Sequence, residues 1–388
     1  MIRSFGIPDP GPLLDLVPDH RPVLWLRGGD GMVGWGEAAR FETTGPDAFD
    51  EAARWWREWL SGHRRQGAPG PVAFGSFGFA GGRSVLIVPR VVIGRLGGVT
   101  WQTIVDDAEP AGTTARRPVP RVRWLEDGAE FERWDAAVCE VLRRLRDTSL
   151  AKVVLARGID GVLDDVLDLR TAVGLLADRF PTCWSFAVDG LFGATPELLV
   201  RTASRAVSSL VLAGTSWDDR QLRNTGRIAA EHAYAVRSVV DALRQSGAEL
   251  DPCGEPEMLR LANVTHLATK VTGRLADGVQ SVSLAGRLHP TAAVCGTPTR
   301  QAFDTISEVE GIDRGRYAGP VGWMDADGDG EWCIALRCAQ AEGRSVRAFA
   351  GAGIVEGATS SVEWAEVAAK FGAIRGLFAD DQVLAGCR

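Results

Sequence analysis

Gly351-Ala352-Gly353-Ile354-Val355 runs into residues 361–378, and the reading of that junction decides the fold. The second segment has helical periodicity. At about 100° per residue, Val367, Phe371, Ile374 and Phe378 form one apolar stripe that must face a core. Ala365, Ala368, Ala369 and Gly372 take the solvent side, and Glu363, Glu366 and Lys370 fall on a narrow face at the rim of the stripe. Ser360 with Glu363 has the spacing of a capping box, which would start the helix there. Upstream, residues 320–324, 331–340 and 345–350 have strand character, joined by polar turns at 325–330 and 341–344. Successive antiparallel strands followed by a long helix predict an α+β fold built on sheets. Taken alone, Glu363 and Glu366 are accounted for by the positive end of the helix dipole. A divalent-metal or anion site, where a glycine loop meets a helix N-terminus, is the competing reading.

Bulk properties narrow the function. The 388 residues are 45% hydrophobic and 24% charged, an ordinary globular composition that allows one large domain or two. A net charge of −7 without a lysine and arginine cluster argues against nucleic-acid binding, which needs a basic face. No apolar run approaches the ~18 residues needed to cross a bilayer. Residues 1–14 lack a signal-peptide core and contain three prolines, so a cytoplasmic location is expected. Cys139, Cys183, Cys253, Cys295, Cys333, Cys338 and Cys387 are scattered, without a CxxC pair, and read as reduced and mostly core residues.

Residues 1–120 read as short strands and turns around one helix, Ala48–Ser61, with 74–89 as two strands joined at Gly81 and Gly82. The stretch 110–120, with three prolines and Arg116-Arg117, is a loop between lobes. An amphipathic helix at Glu130–Asp147 leads directly into a β-branched strand, 152–157, with Lys152 at its mouth. Further strands are expected at 183–188, 198–202 and 206–212. Between them, Glu197 follows Pro196 in a connection, where a solvated carboxylate is the ordinary reading. Gly214 closes the last strand, a place where backbone can approach a ligand. A helix at 226–246 carries Glu231 beside the stripe Ile228, Ala235, Val236, Val239 and Leu243. His266 sits in an apolar run, as a core histidine would.

Two motifs tempt and fail. Asp325-x-Asp327-x-Asp329-Gly330 mimics the front of an EF-hand, but the twelfth position is Leu336 and the flanks are strands, so it reads as a hairpin turn. Gly351-x-Gly353 lacks the third glycine and the parallel βαβ setting of a dinucleotide loop.

Ten ordered blocks nevertheless form a joint pattern over roughly 130–380. They are LAKVVLAR (150–157), ATPELLVR (194–201), LAGT (212–215), AEHAYAV (230–236), THLAT (265–269), LHPTAAVCGTP (288–298), DRGRYAGPVGW (313–323), GDGEWCIALRCA (328–339), FAGAGIVEG (349–357) and EWAEVAAK (363–370). This pattern resembles the chorismate-utilising enzymes. Residues 1–120 fit only loosely, through GWGEA (34–38) and 74–89, as a divergent portion of one domain spanning 1–388. The resemblance implies two stacked, mainly antiparallel sheets flanked by helices, an α/β sandwich with a Mg²⁺-dependent site between the sheets. It also implies a monomer acting on the small molecule chorismate.

Residue by residue, the resemblance implies that Glu231 and Glu366 bind Mg²⁺ and that Glu363 supports them. Oxygen donors with room for water suit that ion. Tyr317, Arg337, Lys370 and the backbone at Gly351 and Gly353 would hold substrate carboxylates, with Gly214, His266 and Ala293 as further contacts. Lys152 would be a general base activating water for attack at C2, and Glu197 a general acid protonating the departing C4 hydroxyl. Within the family, aminodeoxychorismate synthases usually carry lysine at the place of Ala213, and anthranilate synthases glutamine at that of Lys152. Salicylate synthases tend to carry threonine at that of Ala293. The expectation is therefore water as nucleophile and isochorismate as product, with salicylate formation as the nearest alternative.

Overall fold

A computed structural model describes residues 1–106, 114–125, 128–216, 226–260 and 265–378. Two mainly antiparallel sheets carry the chain, giving an α+β fold. The larger has thirteen strands and the smaller ten among the described residues. Strands from before and after residue 120 run into one another in both. Val23–Arg27 pairs with Trp184–Val188 in the larger sheet. Val72–Ser76 pairs with Pro320–Asp325 in the smaller. Of the loop expected at 110–120, residues 114–120 carry no helix or strand and 110–113 lie outside the described residues; the chain on either side shares both sheets. Near that loop the buried Asp168–Arg170 pair, 2.6 Å apart, ties helix Leu169–Arg179 to the carbonyls of Val17, Thr114 and Ala115.

The sheets face each other across the core. Trp25 and Trp184 of the larger sheet each donate an indole N–H to one carboxylate oxygen of Glu331 on the smaller, both at 2.8 Å. This carboxylate is enclosed, so the two donors replace the water it loses.

Periodicity places several elements as expected. Helices Ala48–Ser61 and Glu130–Asp147 have the anticipated bounds, and 74–89 forms the strands Val72–Ser76 and Ser84–Val88. Helix Gly226–Gln245 buries Ala235, Val239 and Leu243. The 325–330 turn is a hairpin in which Asp325 Oδ1 accepts the backbone N–H groups of Asp327 and Asp329.

Three expectations fail. Gly351–Val355 is no loop: it completes an eleven-residue strand, Ser345–Val355. The expected strand 331–340 is two strands in different sheets, Gly330–Ile334 in the smaller and Cys338–Glu342 in the larger. Arg337 turns the chain between them with φ 46°, a left-handed conformation that no β pattern announces. Third, the capping box is absent. Thr359 is the N-cap of helix Ser360–Arg375 and makes no side-chain cap bond. Ser360 lies inside the first turn, its hydroxyl donating to Asp135 of helix Glu130–Asp147 instead.

Helix Ser360–Arg375 keeps its expected stripe, with Val367, Phe371 and Ile374 fully buried. It packs on Ser345–Val355 and on helix Glu130–Asp147. Arg157, from the neighbouring strand, joins the layers: it pairs with Glu130 at 2.7 Å and lies 3.2 Å over the Trp364 ring. None of the described helices is long and apolar enough to cross a membrane.

Gly193 lets the two sheet-changing segments lie against each other. A Cβ there would stand 2.6 Å from Cys338 Cβ and 2.7 Å from the Arg337 carbonyl oxygen. Gly193→Ala should therefore cost ~1–3 kcal/mol of stability through overpacking. Urea denaturation checks this, and an unchanged midpoint would show that the contact yields freely.

Candidate active site

The site forms where strands leave their sheets. Strand Lys152–Leu163 pairs along its length with Ser345–Val355, setting Lys152 opposite Val355, Val154 opposite Gly353 and Ala156 opposite Gly351. The N–H groups of Val154 and Ala156 point away from that partner, to the Cys295 carbonyl and the Glu310 carboxylate, both at 2.7 Å. In an antiparallel ladder, residues opposite each other turn their backbone groups the same way relative to the pair. The backbone of Gly351 and Gly353 therefore also faces away, toward the outer edge of its strand. That edge is covered by Cys338–Glu342 only as far as the Ala339–Ala348 pair. Two glycines thus present backbone at an edge their neighbouring strand has left, consistent with the carboxylate-holding role expected of them.

The departing strand explains the rest of the geometry. Two crossovers between the sheets run side by side. One is Thr195-Pro196-Glu197, between Leu191–Thr195 and Leu198–Ala203; the other is Ala335-Leu336-Arg337. Ala194 N–H donates to the Arg337 carbonyl at 3.2 Å, and Ile334 N–H donates to the Glu197 carbonyl at 3.1 Å. Thr195 Oγ1 donates to the Ile334 carbonyl at 2.6 Å. Glu197 and Arg337 are thereby fixed at one junction. Glu197 is no solvated connector, since it is 5% exposed, and Lys152 is 1% exposed.

Electrostatics confirm the grouping. Burial raises the Glu197 pKa to about 8, against the opposing pull of the Lys152 charge, a Leu212 backbone hydrogen bond and the Arg337 charge. The Leu212 contact also brings this carboxyl to the strand that carries Gly214. Arg337 is pushed below the ordinary arginine value by burial, against the influence of Tyr317, Glu366 and Glu197. Burial raises Tyr317 well above the usual phenol value, with Arg314 opposing. Its ring stacks on Phe349, centroids 5.2 Å apart and planes 9° apart. A Cβ on Gly351 would come within 3.1 Å of its hydroxyl.

From the helix side, Lys370 Nζ donates to the Gly351 carbonyl at 2.8 Å and pairs with Glu366 at 2.6 Å. Glu363, one turn before Glu366, is 4% exposed, deeper than the rim position expected of it. The structure therefore brings together Lys152, Glu197, Tyr317, Arg337, Gly351, Gly353, Glu366 and Lys370. Ala293 precedes Val294, whose carbonyl accepts from Arg314, and Cys295, which is bonded to Val154. The side chains of Glu231 and His266 and the Gly214 site lie outside those described. Their strands and helix are placed, with a register shift between Ala213 and Thr215 opposite His266. His232, next to Glu231, was not anticipated; its Nε2 meets Thr269 Oγ1 at 2.7 Å, joining that helix to the strand that carries His266.

The donor set at Glu363 and Glu366 consists of hard carboxylate oxygens one helical turn apart and partly withdrawn from water. That chemistry fits Mg²⁺. A cavity of about 930 Å³, lined by Arg40, Arg83, Asp189 and Gln340 among others, opens elsewhere, and none of the candidate site residues lines it.

Comparison with known proteins agrees. A family described as "Chorismate binding enzyme" matches residues 100–378. The isochorismate synthase DhbC of Bacillus subtilis (strain 168) is 34% identical over 309 residues, covering 74% of this chain and 75% of that protein. A solved structure of a putative 2,3-dihydroxybenzoate-specific isochorismate synthase, DhbC from Bacillus anthracis, superposes with TM-score 0.78 at 27% identity. It covers 94% of this chain and 98% of its own. MenF, the menaquinone-specific isochorismate synthase from Escherichia coli, shares the fold with TM-score 0.81 at 24% identity, over 98% of this chain and 94% of that one. With the family matched over most of its length, the chain belongs to the chorismate-binding enzymes.

Proposed function

We propose that the protein is an isochorismate synthase, converting chorismate to isochorismate. The observation that carries this is a buried lysine within electrostatic reach of a buried carboxyl that burial raises to a pKa of about 8, where strands leave their sheets. Similarity to the relatives named as isochorismate synthases supports it.

The residues divide the work. Lys152, as general base, takes a proton from water as the water oxygen bonds to C2. The ring double bond shifts and the C4–O bond breaks. Glu197, in its protonated form, gives its proton to the departing hydroxyl, which leaves as water. One water enters and one leaves, so substrate and product are isomers. The turnover ends with Lys152 protonated and Glu197 ionised, and a proton must pass between them through solvent before the next cycle. Arg337, Lys370, Tyr317 and the Gly351 and Gly353 backbone orient the substrate's carboxylates, and Ala293 leaves room beside the ring. Glu366 and Glu231, supported by Glu363, would hold Mg²⁺. When bound, the ion neutralises substrate charge and fixes its orientation.

Assay of the protein with chorismate and Mg²⁺ should yield isochorismate without salicylate or pyruvate. Lys152→Ala should lower kcat by ~10²–10⁴-fold, the usual contribution of a positioned base, with its circular dichroism unchanged. Enzyme-dependent salicylate would contradict the product assignment, and full activity in the variant would remove Lys152 from the chemistry.

The acid role of Glu197 has a defined pH sign. Its folded pKa is raised to about 8, so the proton-donating form prevails below that value and is lost as pH rises through it. The pH profile of turnover should therefore carry a limb at about pH 8. Glu197→Gln should lose ~10²–10⁴-fold in kcat and show no such limb in its residual rate. A pH profile with no limb near that point would refute the role.

For the metal, Glu366→Ala should shift the Mg²⁺ concentration for half-maximal rate upward by ~10-fold or more, as loss of a charged ligand predicts. A magnesium titration identical to that of the unaltered protein would exclude Glu366 as a ligand.

A further inference from the structure

Glu310 and Arg314 have no part in the chemistry above, yet they form a buried ion pair at its edge. Glu310 is the C-cap of helix Thr299–Val309. A carboxylate there opposes the helix dipole, and its side chain is only 2% exposed, that of Arg314 3%. Two local preferences are broken at one residue, which requires a compensating gain. The pair is bidentate, Nε to Oε1 at 2.7 Å and Nη2 to Oε2 at 2.5 Å.

That gain lies in the strand of Lys152. On the side away from Ser345–Val355, Lys152 and Val153 pair with Gly296–Thr297. Val122–Leu125 covers the strand again only from Asp160 onward. The ion pair stands in the gap. Glu310 Oε2 accepts the Ala156 N–H at 2.7 Å, and Arg314 Nη2 donates to the Val154 carbonyl at 2.7 Å. Backbone groups that would otherwise be buried without partners are satisfied as a strand would satisfy them. The same guanidinium donates to the Val294 carbonyl at 2.9 Å, beside Ala293. The Arg314 carbonyl accepts the Tyr317 N–H at 2.9 Å. The Phe79 ring lies 4.2 Å from the guanidinium carbon and completes its enclosure.

We propose that the Glu310–Arg314 pair is a positioning element for Lys152, a two-residue substitute for a missing strand that fixes where the base stands. This role rests on the reading of Lys152 as general base. Both residues act through the Val154–Ala156 backbone and touch no reacting atom. A displacement of about 1 Å at a reacting group can cost ~10²-fold in rate, so the expected loss falls on turnover, not on substrate affinity.

The test compares Glu310→Gln with Glu310→Leu in the full chain. Glutamine keeps a carbonyl acceptor for the Ala156 N–H, and leucine removes it. The leucine variant should lose ~10²-fold in kcat with the chorismate KM within ~3-fold, whereas the glutamine variant should recover most of that loss. Equal impairment of the two, a loss confined to KM, or full activity in a folded leucine variant would overturn the role. Should Glu310→Leu fail to fold, Arg314→Lys makes the same comparison: it keeps the charge beside Glu310 and loses the fork that spans Val154 and Val294. Its kcat should fall while KM holds, and unchanged kcat would overturn the role. Absence of isochorismate from the unaltered protein is a separate readout that would overturn the general-base reading itself.

Discussion

Everything at the site depends on two chain segments changing sheets side by side. Thr195–Glu197 and Ala335–Arg337 leave the layers together, bonded through Thr195, Ile334 and the Glu197 and Arg337 carbonyls. Once they cross, the strand Ser345–Val355 loses its neighbour beyond Ala348. Backbone exposed in this way inside a protein must find partners. Lys370 supplies one, at the Gly351 carbonyl. The opening between the sheets and the unfilled hydrogen-bonding edge thus have one cause.

That opening collects charge that would otherwise be costly to bury. Lys152, Arg337 and Lys370 face Glu197, Glu363 and Glu366, in a protein whose overall charge is negative. Desolvation disfavours every charged form, and the responses differ with the partners. Lys370 has a carboxylate at 2.6 Å and a carbonyl at 2.8 Å. Glu197 feels the Lys152 and Arg337 charges and one backbone bond, but burial prevails and it holds its proton to about pH 8. A protonated carboxyl and buried cations can therefore share one enclosed space. A buried acid closely paired with a cation would be ionised and unable to donate.

The sequence made some of this legible and hid the rest for definite reasons. Helical stripes such as Val367, Phe371 and Ile374 are periodic and local, and those helices stand where the pattern put them. The ordered blocks singled out Lys152, Glu197, Arg337 and Lys370, and the structure places all four where the strands change sheets or beside them. The break at Arg337 was invisible: β-branched and aromatic content reports a pleated, half-buried surface, not which sheet supplies it. Gly351 and Gly353 read as a loop because glycine usually marks one. Here the requirement is close packing, since a Cβ at Gly351 would press on the Leu155 carbonyl and the Tyr317 hydroxyl. Glu310 and Arg314 drew no notice in the sequence, because their partners are backbone atoms about 150 residues away.

The glycines also show why site and scaffold cannot be separated in this fold. Gly351 pairs with Ala156 in the longest ladder of the larger sheet, holds Lys370 through its carbonyl and admits the Tyr317 hydroxyl where a side chain would stand. A loop could offer the same backbone groups, but loops are mobile and a carboxylate-binding edge must hold its geometry. Built into a strand buried between a helix and a lysine-bearing neighbour, the edge is as rigid as the sheet. The lysine gains the same rigidity, because Val355, its cross-strand partner, lies two residues beyond Gly353. Lys152 and the Gly351–Gly353 backbone are thus kept in register by one set of hydrogen bonds, and whatever shifts one strand must shift both.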